Sequence, residues 1–200
     1  MTRRASLAVL AATLLCAALA ACSTGPRRVE STSDYQSFGS AAELIAEAEL
    51  IIHGVVKATR VEEQLRFAES TDDDPARNPP AGTRAEELNR LPGFVVTIAT
   101  VSVVETFKGP VEAGSEVEVL QMGGRRDGVL YRGKATTMLS TEEKNGYVLF
   151  LNSYGGTAYQ LPNPRQAMFI VSDDGSLVAV GGDASVPIAS LSELRTLVAE

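Results

Sequence analysis

The clearest strand in the chain is the stretch FVVTIATVSVVETF, which runs from Phe94 to Phe107. It is rich in β-branched residues, which favour strands over helices. The apolar side chains at positions 94, 96 and 98 share one face by the period of two, whereas Val101 and Val103 fall on the other. The pattern therefore predicts a bulge near Ala99-Thr100 that changes the inward face, as a strongly curved small barrel requires.

Further strands are predicted on both sides of this stretch. Leu50–Val61 is rich in β-formers and is interrupted by Gly54, so we expect a strand with a bend or bulge in its middle. Tyr147–Leu151 is continuously apolar, as in a central strand buried on both faces. Shorter strands are expected around Val117 and Val119, Val129–Thr137, Ala158–Leu161, Ala167–Val171 and Leu177–Val180. Gly123-Gly124 is interpreted as the end of the strand that contains Val119.

Two short helices and one long insertion complete the predicted domain. Ser40-Ala41-Ala42-Glu43 has the spacing of a capping box and predicts a helix over about 41–48. Ser190-Leu191-Ser192-Glu193 repeats that spacing before the apolar stripe of a terminal helix. Residues 62–91 are polar and proline-rich, so we expect a long, partly disordered surface insertion. Strands separated by turns rather than by helices predict a mainly β fold, a small antiparallel barrel.

The N-terminus has the three parts of a secretory signal. Arg3 and Arg4 precede an apolar segment from Ala5 to Leu19, which is shorter than the roughly 20 residues of a membrane-spanning helix. Leu19-Ala20-Ala21-Cys22 closes the segment and is similar to a bacterial lipobox, whose cysteine becomes the acylated first residue. We therefore expect residues 1–21 to be a signal peptide and Cys22 to be the lipidation site. The two arginines leave export through the general or the twin-arginine route open.

This signal predicts an extracytoplasmic protein, anchored by palmitate-type lipid to the outer leaflet of the cell membrane or, in a two-membrane cell, to the outer membrane. Residues 22–37 lack hydrophobic periodicity and are predicted to be a flexible tether, followed by a single domain over 38–200. The oligomeric state stays open.

Charge and cysteine content exclude several kinds of site. Loss of residues 1–21 removes two of the 18 basic side chains and none of the 25 acidic ones, which leaves a net charge of −9. Such acidity disfavours binding of nucleic acid and anionic lipid, so we expect the acyl chains alone to attach the protein to its membrane. No cysteine follows Cys22, which excludes a disulfide and thiolate zinc sites, and no cofactor is predicted.

Several motifs resemble a group of exported bacterial proteins. AEAELIIHGVV at 46–56, the strand over 97–104 that ends in Phe107-Lys108-Gly109, and GYVLFL at 146–151 are similar to the strands of that group. The resemblance covers roughly residues 41–181 and implies an OB-like barrel related to the netrin-like domain of metalloproteinase inhibitors. Their inhibitory mechanism is not implied, because it needs a disulfide-linked N-terminal cysteine with a free amine.

His53 is the only histidine and hence the only candidate imidazole base. No G-x-S-x-G or S-x-x-K segment accompanies it, so we interpret it as a side chain on the wet face of its strand. Asp72-Asp73-Asp74 and Asp173-Asp174 lack the spacing of a calcium loop and are interpreted as solvated loops. Gly123-Gly124-Arg125-Arg126 is interpreted as a turn with two surface arginines, because no helix follows to bind an anion.

Sugar cleavage by paired carboxylates is disfavoured because the chain has no tryptophan and its tyrosines are scattered. Tyr147 is expected in the core, apart from Tyr131, Tyr154 and Tyr159.

The functional expectation is a lipid-anchored, non-enzymatic binding module of the cell envelope, with a protein partner and an unknown ligand. The alternative is an envelope hydrolase that uses His53 or a carboxylate pair. A transporter's solute receptor is ranked last, since about 160 foldable residues are too few for two lobes.

Overall fold

A computed structural model describes residues 27–64, 93–133, 137–154, 156–182 and 185–200. Within these ranges the protein is mainly β. Its strands are β1 Arg28–Ser31, β2 Leu50–Gln64, β3 Phe94–Lys108, β4 Glu116–Arg126, β5 Val129–Gly133, β6 Tyr147–Leu151, β7 Tyr159–Gln160, β8 Met168–Val171 and β9 Leu177–Ala179. Its helices are α1 Ala41–Glu47 and α2 Leu191–Ala199. No described helix is long and apolar enough to cross a bilayer.

The strands form one open, mixed sheet in the order β1-β5-β4-β3-β2-β6-β8-β9, with β7 beside β4. The pairings of β1 with β5 and of β4 with β7 are parallel, and the others are antiparallel. The closed antiparallel barrel expected from the sequence is therefore not what these ladders form. The reason lies in β4, which continues outward to pair with β5 and β1 and so creates a free sheet edge.

Gly123 and Gly124 lie inside β4 rather than at its end, which corrects the prediction of a turn there. Both have positive φ, 102° and 147°. A Cβ on Gly123 would lie 2.6 Å from the Tyr131 carbonyl oxygen, and one on Gly124 would lie 2.7 Å from Thr97 Oγ1. Glycine thus lets β4 approach its neighbours closely and continue to Arg126, and the chain turns at Asp127-Gly128 instead.

The two long strands β2 and β3 hold the core. Apolar side chains from β2, β3, β6 and β8 form the main cluster, which α1 and α2 cover at one end. A second cluster joins Val96, Ile98, Leu120 and Ala158 on the other side of β3. Both faces of β3 are therefore buried at this point. Apolar residues can occupy even and odd positions of the strand without a bulge.

The predicted bulge near Ala99-Thr100 is accordingly wrong. The ladder from β3 to β4 is regular from Val96 to Ser102. The register shifts lie between β2 and β3: Phe107 and Val104 of β3 are unmatched at the steps Ile51/Ile52 and His53/Gly54. Opposite Thr100 and Val101 the unmatched residue is Lys57, in β2 rather than in β3. The irregularity predicted at Gly54 is confirmed by the register shift between His53 and Gly54. A Cβ on Gly54 would lie 2.5 Å from Val101 Cγ1, so the close approach of β3 requires glycine there.

Both predicted helices are confirmed, and both use a capping serine. Ser40 Oγ accepts a hydrogen bond from Glu43 N at 3.2 Å, and Ser190 Oγ accepts one from Glu193 N at 3.2 Å. Each glutamate also accepts a bond from the residue before the cap, Gly39 or Ala189. The two capping motifs therefore satisfy amide donors that the helix cannot satisfy internally.

The segment before α1 differs from the predicted tether. Arg28–Ser31 forms β1, although all four residues are exposed and only backbone pairing with β5 holds the strand. Closer to α1, Phe38 is buried, and its N–H and carbonyl group both bond to the Gln166 side chain at 3.0 Å. The chain is thus attached to the domain ten residues before the predicted domain boundary at residue 38. The insertion predicted over 62–91 starts inside β2, and its residues 65–91 lie outside the described ranges.

Candidate functional site

The predicted lipidation site Cys22 and the predicted solvated loop Asp72-Asp73-Asp74 lie outside the described residues. The described chain begins at Arg27, whose carbonyl oxygen accepts a hydrogen bond from Leu130 N at 2.8 Å. The N-terminal segment is therefore attached to β5 from the first residue that the structure describes.

His53 lies on β2, between Glu105 of β3 and Val148 of β6 in the ladder register. Its Nε2 is 2.7 Å from the carbonyl oxygen of Asn145. A carbonyl oxygen only accepts, so Nε2 carries a proton and donates it. This nitrogen is consequently engaged in holding the turn before β6, and the half-buried ring is not the solvated side chain expected from the sequence.

Glu105, the cross-strand neighbour of His53, is engaged by α2. Its two carboxylate oxygens accept hydrogen bonds from Nε and Nη2 of Arg195, each at 2.8 Å. This bidentate contact lowers the pKa of Glu105, and the nearby His53 lowers it slightly further. The same guanidinium lies 5.9 Å from the centre of the Phe107 ring. The cluster therefore fastens α2 to β3.

Sequence reasoning missed this cluster because Glu105 and Arg195 are 90 positions apart and belong to no shared motif. Only the docking of α2 brings them together.

The Asp173-Asp174 pair lies in the turn between β8 and β9. Asp173 Oδ1 accepts a hydrogen bond from Asn145 Nδ2 at 2.7 Å. Asp174 Oδ1 accepts one from Ser176 N at 3.0 Å, and the hydrogen bonds from Ser176 lower the pKa of Asp174. Both carboxylates thus hold turns. Within the described ranges no group of three or more histidine, cysteine or acidic residues is placed to hold a metal ion.

Tyr147 is buried in the core, as predicted. Its hydroxyl accepts a hydrogen bond from Ser140 N at 3.0 Å, and burial raises the pKa of this phenol. Tyr131 and Tyr159 are half-buried, whereas Tyr154 is exposed. The structure does not gather them into one aromatic surface.

The most distinctive surface lies where β1, β5 and the end of β4 meet. We call residues 27–31 and 123–133 the arginine wing, after its five arginines. The ladder places Arg28, Leu130 and Arg125 side by side in one row, and Glu30 and Arg132 in the next row of the same face. All of these except the half-buried Leu130 are exposed. Arg28, Glu30, Leu130 and Arg132, together with Gly133, border a shallow cleft of about 290 Å³.

Three other described arginines, Arg60, Arg126 and Arg195, have acidic partners. Arg60 donates from Nη2 to Glu118 at 2.9 Å, and this contact lowers the pKa of Glu118. On the far side of the wing, Arg126 lies 2.9 Å from Glu63. Among the described residues, no ion pair engages Arg28, Arg125 or Arg132. The wing face thus presents three guanidinium groups to solvent beside a single carboxylate.

Comparison with known proteins adds no assignment to this surface. No protein-family model matches the chain, and no curated protein is similar to it at a significant level.

Proposed function

We propose that the protein is acylated at Cys22, is anchored to a membrane of the cell envelope outside the cytoplasm, and uses its β domain as a non-enzymatic binding module. The segment that ends in Leu19-Ala20-Ala21-Cys22 supports the anchor, because it has the cationic start, apolar length and small residues of an export signal. We also propose that this module binds a protein partner and a ligand.

The position of β1 is the observation that carries this proposal. β1 begins at Arg28, six residues after Cys22, and pairs with β5 at the edge of the sheet. Six residues span at most about 21 Å. An acylated Cys22 therefore holds the wing near the bilayer surface and leaves the other end of the sheet directed toward possible partners.

An OB-like arrangement of the domain is part of the proposal. Strands β2, β3 and β4 form an antiparallel meander, and β6 pairs with β2. Strand β7 lies parallel to β4, and its Gln160 forms an antiparallel bridge with Asn152, directly after β6. These contacts connect the two sides of a five-stranded group, and an OB-fold is a five-stranded, partly open barrel. They support the resemblance drawn from the sequence.

The contacts of the candidate catalytic groups favour binding over hydrolysis. His53 Nε2 donates to Asn145, Glu105 is held by Arg195, and Asp173 and Asp174 hold turns. A general base needs a free lone pair within reach of its substrate. His53 Nδ1 keeps its lone pair when Nε2 donates, but no described hydrogen bond joins His53 to a hydroxyl or carboxylate group, so the hydrolase remains the less supported alternative.

The anchor can be tested with two cysteine variants of the whole chain. In cells supplied with a labelled palmitate analogue, we expect Cys22→Ala to abolish labelling and cleavage of the signal peptide. Cys16→Ala is the matched control, because its cysteine lies inside the signal, and it should keep both properties. Equal labelling of the Cys22→Ala variant, or an unmodified Cys22 by intact mass, would contradict the proposal.

The binding role can be tested by photo-crosslinking in intact cells. A photoreactive residue would be introduced in turn at the exposed apolar positions Val29, Val104, Tyr154 and Val178. A binding module should give one discrete heavier product from a subset of these positions. Failure of all four to give any product argues against a protein partner.

A further inference from the structure

We propose that the exposed face of the arginine wing binds the anionic headgroups of the bilayer that carries the acyl anchor, and so holds the domain on the membrane in one orientation. This inference rests on the proposed lipidation of Cys22. It gives the wing a partner of defined chemistry, the phosphate groups of anionic lipids.

The geometry of the face fits a flat array of phosphates. Arg28 and Arg125 flank Leu130 in one cross-strand row, and Arg132 lies in the next row beside Glu30. Paired residues on neighbouring strands are about 5 Å apart, so the three guanidinium groups share one side of a three-stranded sheet. Arginine suits this task because its planar fork donates two parallel hydrogen bonds to a phosphate.

The charge of the wing is opposite to that of the whole protein. Its 16 residues contain five arginines and two carboxylates, a net charge of +3, in a chain of net charge −7. The remainder is therefore strongly acidic. An anionic bilayer attracts the wing and repels the rest, and this separation of charge is what produces one preferred orientation. The acyl chains are then not the only contact with the membrane, contrary to the expectation from composition.

The short connection to Cys22 makes the contact intramolecular. With Arg28 at most about 21 Å of chain from the anchor, the wing stays close to the headgroups at all times. Surface charges act over a Debye length of about 8 Å at physiological ionic strength. A few arginines that contribute about fivefold each near an anionic surface are then enough to bias an already tethered domain.

Labelled full-length protein provides the test. The acylated chain has no free thiol, because Cys16 leaves with the signal and Cys22 is modified, so a single introduced cysteine takes one fluorophore. Val29, 47 % exposed, lies on the face of β1 opposite the arginines, and Val178, 55 % exposed, lies on β9 at the other sheet edge. Val29→Cys and Val178→Cys therefore report the two ends of the domain without blocking the proposed contact.

The measurement is quenching by headgroup-labelled lipid in two kinds of vesicle, phosphatidylcholine alone or with about one third phosphatidylglycerol. We expect phosphatidylglycerol to raise quenching at Val29→Cys about twofold or more, and about 0.5 M salt to reverse the effect. The label at Val178→Cys should not respond. Equal quenching at Val29→Cys in both vesicles, or equal responses at both positions, overturns the inference.

Charge-matched variants identify the residues responsible. The triple variant Arg28→Gln, Arg125→Gln and Arg132→Gln should lose the response, whereas Lys57→Gln, Lys144→Gln and Arg165→Gln, which removes three exposed cations elsewhere, should keep it. An equal loss in both triples would assign the effect to net charge and overturn the inference. Reversal of the wild-type response by an excess of a soluble acidic peptide, but not by salt, would also overturn it in favour of a protein partner.

Intact mass of the same sample separates the two proposals. A chain without acyl modification contradicts the proposed anchor, and the wing inference falls with it. An acylated chain whose Val29 label ignores phosphatidylglycerol contradicts the wing inference alone.

Discussion

The arginine wing and the centre of the sheet are built on different physical principles. In the centre, β6 is buried at every position, and the Phe150 and Phe169 rings pack 5.9 Å apart. In the wing, β1 has four exposed residues and is held by backbone pairing alone. Burial of apolar area stabilises the centre, whereas the wing contributes little apolar area and many charges. The region that least stabilises the fold is thus the one free to contact something else.

The largest effect should come from the centre. Phe150→Ala removes a fully buried ring, and deletions of this kind lower the free energy of unfolding by about 3 to 5 kcal/mol. Leu130→Ala, the wing counterpart, removes a half-buried side chain and should cost less than about 1 kcal/mol. Urea denaturation measures both. Equal losses would show that the wing is part of the core.

Substitution of two glycines with similar φ angles distinguishes the cost of steric crowding from the cost of a positive φ. Gly146 has φ of 73°, and a Cβ there would lie 2.1 Å from the Gly54 carbonyl oxygen. Gly128, in the turn of the wing, has φ of 76° and no atom within 4 Å of such a Cβ. Gly128→Ala should therefore cost about 1 kcal/mol for the positive φ alone, and Gly146→Ala about 2 kcal/mol more for the displaced strand. Equal denaturation midpoints for the two variants would contradict the expected cost of crowding at Gly146.

Substitution of Gln166, whose side chain connects the N-terminal segment to the centre of the sheet, should have an intermediate effect on stability. Gln166 is 2 % exposed, and its amide bonds to Phe38, Asn163 and Ser185. Gln166→Leu leaves the N–H and carbonyl group of Phe38 without their partner, which should lower stability by about 2 kcal/mol. Gln36→Leu is the control, because that side chain is exposed. A loss within about 0.5 kcal/mol for Gln166→Leu would show that Phe38 is not held by this amide.

The smallest effect concerns the ion pair of α2 and its pH dependence. The pKa of Glu105 is lowered, so the Arg195 contact stabilises the fold above the ordinary value of 4.5 and is lost as pH falls through the depressed value. The side chains of Glu105 and Arg195 are 33 % and 52 % exposed, which limits the contribution to about 0.5 kcal/mol. Glu105→Gln should be less stable than wild type at neutral pH and equal to it in acid. Glu47→Gln, which removes an exposed carboxylate from α1, controls for net charge. A difference between Glu105→Gln and wild type that does not shrink as the pH falls below 4.5 contradicts this assignment.

Hydrophobic periodicity could predict the strands at the centre of the sheet, because the buried positions of β2, β3 and β6 appear in the sequence as regular patterns of apolar residues. It could not predict β1, whose residues Arg28–Ser31 carry no such pattern and pair only through backbone groups. It also misjudged Gly123-Gly124, since a glycine that ends a strand and one that permits close approach look alike in sequence. The bulge expected near Ala99 was wrong because a second apolar cluster buries the other face of β3.

Candidate site residues were predictable only when they belonged to one local motif. The Asp173-Asp174 turn and the two capping serines follow from neighbouring residues. The contact of Arg195 with Glu105 and the row of Arg28, Leu130 and Arg125 depend on pairing between distant segments. No spacing rule relates such segments, so tertiary structure was needed to find them.

In the sequence, 29 residues separate β2 from β3, and this separation affects how the protein tolerates a change in length. When flexible residues are added to a connection, the entropic cost grows only with the logarithm of its length, so doubling that length costs about 0.6 kcal/mol. The strand pair on either side contains thirteen matched positions that outweigh such a cost. Extra sequence, including an entire inserted module, should be accepted at this point of the chain without unfolding the sheet, which makes it the natural place to graft a tag or a reporter.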